Sequence, residues 1–227
     1  VALEPDNWRH HFRLAYVSWG EERLRAAQQT LALLPHFPLA HWLAATVYVA
    51  RQVCDEAERE LDAGLASHAG DPATGARFNP VALYWLRGLI RLSRGDDAGA
   101  FNDFERELAS EHAGQLYARE CAANTWYAIG ALQLRRGRKE ESCAAFTRAT
   151  ARIAAHPMAH VALAAAGVFD HASSAAPVSF ASGRSIPLVE AAMAHAAQRV
   201  LAGDHDSAGR VVADALANAP PGNAGWT

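Results

Sequence analysis

The sequence predicts an all-α protein built from about five to six helix-turn-helix units, and three observations predict it. Apolar residues recur at three- and four-residue intervals in paired segments, which places them on one helical face. Gly, Pro and Asp punctuate the pairs. One spacing of small and bulky residues returns along the chain, as a repeat architecture requires.

At 227 residues with 51% hydrophobic side chains, the chain is long enough to bury a substantial core as one elongated array or as one to two compact domains. No run of about 18 apolar residues occurs, so no membrane contact is expected. VALEPDNW lacks the basic-then-apolar order of a secretory signal. A net charge of −3 and a pI near 6.4 offer no electrostatic reason to expect nucleic acid. Cys54, Cys121 and Cys143 are odd in number and widely spaced, which argues against a disulfide framework or a zinc site and for a reducing, cytoplasmic setting.

The first seven residues resemble the end of a helix followed by a Pro-Asp-Asn opening, so an earlier unit is expected upstream of Val1. Trp8–Trp19 carries Trp8, Phe12, Ala15, Tyr16 and Trp19 on one face; Gly20 breaks it, and Glu21–Leu34 follows until Pro35 and Pro38. Leu39–Ala50 and Asp55–Ser67 repeat the plan. His68–Asn79 reads as a loop, with 71–79 an insertion, and Pro80–Leu108 is the best-preserved pair. Gln115–Leu134 is expected as a long helix, paired with Glu140–Ala154. Pro157–Phe169 opens a degenerate unit whose second half, Asp170–Pro187, is irregular. Leu188–Ala202 and His205–Ala219 close the array before a short tail, 223–227. The unit boundaries are thus 8–37, 38–70, 80–114, 115–156, 157–187 and 188–222, within a single array over 1–222.

The arithmetic is internal. Twelve residues separate the small positions of the two helices in Ala45–Ala57, Gly88–Ala100 and Ala196–Ala208, and four more reach Leu61, Phe104 and Val212. Gly130 to Phe146 keeps the total of sixteen, with Ser142 in the small slot. Small residues let two helices approach closely, and the bulky residue fills the space beside them. This pattern resembles the tetratricopeptide repeat (TPR) family: Trp126, Ile129 and Gly130 match the start of its signature, and Gly88, Ala100 and Phe104 its middle. Arg87 departs from it, standing where the family has an aliphatic residue. The resemblance implies a right-handed α/α superhelix, a solenoid whose first helices line a concave surface.

On that implication, the groove rows hold Phe12, Trp42, Trp85 and Tyr127, then Tyr16, Thr46 and Leu89, then Trp19, Val49 and Leu92. Asn124, Arg91 and Arg135 are candidates for polar contacts, although a solvated helix surface also accounts for the two arginines. The family's lysine- and asparagine-based carboxylate clamp is disfavoured, because aromatic residues hold its positions. Aromatic side chains at helical spacing are more often core than binding site, and residues 170–187 or the tail ending at Trp226 could fold back over such a groove. The expected partner is a protein or peptide, with a second copy of the chain as an alternative.

No GxGxxG or GxxxxGK[ST] phosphate loop occurs. His156 and His160 stand four apart, but Pro157 places a helix start between them and no carboxylate completes a metal set. Asp204 reads as a helix cap, His10–His11 as an exposed or packing pair, and Asp103–Glu107 as a solvated helix face. The expectation is a non-catalytic scaffold that needs no metal or cofactor. The alternatives are a regulatory region of a larger protein with an upstream catalytic or DNA-binding part, or a self-associating homo-oligomer.

Overall fold

A computed structural model describes residues 4–70, 78–112, 117–154, 156–165, 196, 199 and 204–217. It is all-helical over these residues, with no strand among them. The helices are α1 (Trp8–Val17), α2 (Gly20–Leu33), α3 (Pro38–Ala50), α4 (Cys54–Gly70), α5 (Leu83–Ser93), α6 (Asp97–Ala109), α7 (Ala118–Arg135), α8 (Lys139–Arg152), α9 (Pro157–Ala165) and α10 (His205–Ala217). The chain divides into two compact units, residues 1–125 and 126–227, with the boundary inside α7. No helix among the described residues is long and apolar enough to cross a membrane.

In the first unit α1 packs on α2, α3 on α4 and α5 on α6, and α1 also touches α3 as α3 touches α5. In the second, α8 packs on α9. Local chemistry sets the ends. Asn7 Oδ1 accepts from the Arg9 N–H at 3.1 Å and caps α1. Pro38 occupies the first turn of α3, where its missing N–H costs nothing. Asp96 Oδ1 caps α6 through the Gly99 N–H at 2.9 Å. Gly95 and Gly137 make the same turn in two successive pairs, with φ of 81° and 74°, a region that glycine enters without a Cβ clash.

The small-and-bulky arithmetic has a steric basis. A Cβ built on Gly88 would lie 2.5 Å from Phe104 Cε1, and one on Gly130 would lie 2.5 Å from Phe146 Cδ1. Each phenylalanine ring therefore occupies the space that a side chain on the facing helix would need. Ala45, Ala57, Leu61, Ala100, Phe104, Ser142, Phe146, Ala196 and Ala208 are all buried, so these repeat positions form packed interior, whereas Val212, the expected bulky residue of the last unit, is 39% exposed.

Several boundaries differ from expectation. The first helix ends at Val17, because Ser18 Oγ and its own N–H both turn back to the Leu14 carbonyl, which leaves Trp19 outside it. Gly20 opens α2 instead of separating two helices. Helix α4 continues through Gly70, past the expected loop start at His68. Residues 71–77, 170–187 and the tail lie outside the described residues, as does most of the predicted helix 188–202, of which buried Ala196 and exposed Arg199 are described.

The expectation of a solvated face at Asp103–Glu107 is corrected. Asp103 is 0% exposed and Glu107 3%. Asp103 takes a bidentate pair from Arg87, with Nε at 2.9 Å and Nη2 at 2.6 Å, and Arg91 Nη1 adds a contact at 3.0 Å. Arg87 Nη1 also reaches Asp62 at 2.6 Å, while Arg91 approaches Glu58 and Arg94 pairs with Asp55 and Glu58. This network tying α4, α5 and α6 is why a charged residue holds Arg87's otherwise aliphatic slot. The Asp103 hydrogen bond, partly opposed by burial, raises the Arg87 pKa further above its ordinary value.

Glu107 meets a different need. Ala82 sits in the left-handed region with φ of 75° at the start of α5 and brings no side-chain cap. Glu107 accepts from the Ala82 N–H at 2.7 Å and the Trp85 N–H at 3.1 Å instead, supplying the acceptor that the bare helix N-terminus lacks.

Candidate functional site

Six aromatic rings gather in the first unit. Phe37, at the α2–α3 junction, lies at its centre: its ring centroid is 5.2 Å from Trp8, 4.8 Å from Phe12 and 4.8 Å from Phe78, all edge-on. Trp8 and Phe78 are 6.1 Å apart. Phe12 leads to Tyr16 at 6.3 Å, and Tyr16 to Tyr117 at 6.0 Å. Edge-to-face geometry at these separations is favourable beyond the area buried. Phe37 is buried, whereas Trp8, Phe12, Phe78 and Tyr117 are half-buried and Tyr16 is 43% exposed.

The half-buried rings border an open, mainly apolar cleft of about 420 Å³. Trp8, Phe12, Phe37, Phe78, Tyr117 and Leu39 line it together with two cations, Arg9 and Arg13. The Arg9 guanidinium lies 4.8 Å from the Trp8 ring centroid. The Tyr117 hydroxyl donates to the Tyr16 hydroxyl at 2.6 Å; burial and that bond push the Tyr117 pKa up to about 12, so it stays protonated. The volume lies within the roughly 300–1,000 Å³ usual for ligand sites, and the lining has their character, apolar with a few polar groups.

The residues picked out by spacing are divided between this cleft and other places. Phe12 and Tyr16 belong to the aromatic cluster. Trp42 and Trp85 are half-buried and packed on core: Trp42 against the cores around Ala15–Val47, Ala45–Ile90 and Val81–Cys121, and Trp85 against the second of these. Leu89 and Asn124 are half-buried. Tyr127, in the second unit, stacks on His156 at 5.7 Å and lies 5.7 Å from Phe146, and burial raises its pKa. Arg135 is exposed at the end of α7. Arg91 is held in the ion network with Asp103.

Phe37, Phe78 and Tyr117 escaped the sequence reading because they sit at helix junctions, outside the columns that helical periodicity defines. A second missed feature was legible in register. Four residues before the small positions Ala15, Ala45 and Ala164 stand His11, His41 and His160. Their Nε2 atoms donate to the carbonyls six residues upstream, Pro5 at 2.7 Å, Pro35 at 3.2 Å and Ala154 at 2.8 Å. One histidine position thus ties three first helices to the chain that enters them.

His156 and His160 are both spent on backbone. His156 Nδ1 accepts from the Ala159 N–H at 3.1 Å and caps α9. Among the described residues no three His, Cys, Asp or Glu side chains come together as a metal site. The three cysteines are free, and burial pushes Cys121 up to about 12, so that thiol is not a thiolate nucleophile.

No protein-family model matches the chain, and no curated protein matches it. Among solved structures, two crystal structures of MamA are similar at 13% identity. One covers 86% of this chain and 85% of its own with a TM-score of 0.45; the other covers 94% and 91% with a TM-score of 0.47.

Proposed function

We propose that the chain is a TPR-like, non-catalytic protein-interaction scaffold whose partner docks in the aromatic cleft of the first unit. The observation that carries this reading is the convergence of Trp8, Phe12, Phe37, Phe78 and Tyr117 on an open cleft, with Tyr16 43% exposed beside it. Rings left part-exposed around a concavity offer large contact area at low entropic cost. The repeat spacing supports the TPR part of the reading, and the two helix pairs interlocked by Gly88–Phe104 and Gly130–Phe146 support the scaffold part.

The test is affinity capture from the native cell with the wild-type chain, with Phe12→Ala/Tyr16→Ala, and with Leu89→Ala as a control outside the cleft. The expected result is loss of the captured protein with the double variant alone, at unchanged helical circular dichroism. Equal capture by all three proteins overturns the assignment of the cleft.

A further inference from the structure

We infer that the cleft selects a linear peptide segment of a partner protein that carries an Asp or Glu next to a bulky apolar side chain. This rests on the cleft being the docking site and adds the chemistry of what docks. The apolar half of the argument is the aromatic lining. The acidic half is an imbalance of charge built into α1.

Arg9 and Arg13 stand one helical turn apart on the same side of α1, both exposed and both lining the cleft. Neither forms an ion pair among the described residues, and no carboxylate lines the cleft. Glu4 lies close in sequence but is engaged with the Asn7 amide at 2.8 Å and His10 at 3.0 Å. Two like charges at this spacing repel. Their position is also adverse, because a helix N-terminus is positive and favours anions. Helices α3, α5 and α9 also lack an acidic residue in the first turn, but none of them carries an arginine or lysine there, as α1 does with Arg9.

This uncompensated positive site lies on a chain of net charge −3, so it is local and not a general property of the surface. A carboxylate placed between Arg9 and Arg13 relieves both the mutual repulsion and the conflict with the helix terminus. Stacking on Trp8 holds the Arg9 guanidinium in place beside the apolar lining, which suits a fork-to-carboxylate pair over a single point charge. A peptide presenting an apolar side chain to the rings and an adjacent carboxylate to the arginines satisfies both halves at once.

Selection of a random 12-residue peptide library displayed on phage against the full 227-residue chain tests this. Enriched peptides are expected to pair a bulky apolar residue with Asp or Glu. A synthetic peptide of the leading sequence should bind Arg9→Gln/Arg13→Gln roughly three- to ten-fold more weakly, with the difference shrinking in 1 M salt. Apolar peptides without acidic bias, binding the wild type and this double variant equally, overturn the inference while leaving the cleft as the site. Enrichment of the same peptides on Phe12→Ala, or no enrichment on the wild type, overturns both the inference and the docking site beneath it. The arginine replacements are on exposed side chains, and unchanged helical circular dichroism separates lost binding from lost fold.

Discussion

At Asp103 two cations, Arg87 above all and Arg91 beside it, neutralise a carboxylate that water cannot reach. Asp103 is 0% exposed and takes two hydrogen bonds from the Arg87 guanidinium. Removing the Arg87 guanidinium takes both bidentate bonds from a buried charge and leaves it only the Arg91 contact, which costs more than the pair contributes. Arg87→Leu should therefore lower the unfolding free energy by about 3 kcal/mol in urea denaturation. Arg87→Leu/Asp103→Leu should recover most of that loss, since apolar groups can replace a buried pair at little cost. If the double variant is no more stable than the single one, the network and not the stranded carboxylate is what matters. Residue-scale chemistry of this kind was hidden from the sequence. Arg87 was visible as a departure from the repeat pattern, but its partner was not, because Asp103 shares a charged stretch with Glu105 and Arg106, which are exposed. Periodicity marks a face as polar; it does not reveal that a long cation reaches across to neutralise one member of it.

Helix α9 shows how an element can depend on one protonation state. Its start is capped by the Nδ1 lone pair of His156, which accepts from the Ala159 N–H. Burial, reinforced by the nearby His160, lowers the His156 pKa below the ordinary 6.5. A group depressed in this way contributes stability above pH 6.5 that is lost as the pH falls toward its folded value, and protonation of Nδ1 removes the capping acceptor itself. Amide exchange of residues 157–165, corrected for intrinsic rates, should accelerate between pH 7.5 and 5.5. His156→Asn, which caps without titrating in this range, should reduce the acceleration to the part that His160 contributes. An unchanged pH response in that variant would rule out the cap as its origin. The position of this element was legible: Pro157 marked the helix start and left the histidine outside it. The partners of helix pairs were legible for the same reason, since Gly88 and Phe104 lie within one continuous stretch. Phe37, Phe78 and Tyr117 come from separate junctions, and only folding brings their rings together.

Across the molecule, the two units should answer pH with opposite signs. In the first, burial pushes Glu107 up to about 7 despite its backbone hydrogen bonds. A carboxylate raised from 4.5 binds a proton more tightly folded than unfolded, so its contribution to stability is lost as the pH rises through 4.5 toward 7. In the second, the histidines His156 and His160, lowered chiefly by burial, make stability rise with pH through 6.5. Hydrogen exchange of the whole chain should show protection of residues 83–109 falling and that of 156–165 rising between pH 5 and 7.5. A shift of the same sign in both would overturn this assignment. The interlock of glycine and phenylalanine has a consequence for how such a chain can grow. Because Gly88 receives the ring of Phe104 from its own pair, residues 80–109 carry their steric fit within one continuous piece of sequence. A gene duplication spanning that piece would copy a unit whose halves already match. A recombination point falling between the two helices would join a ring to a facing helix never selected to make room for it.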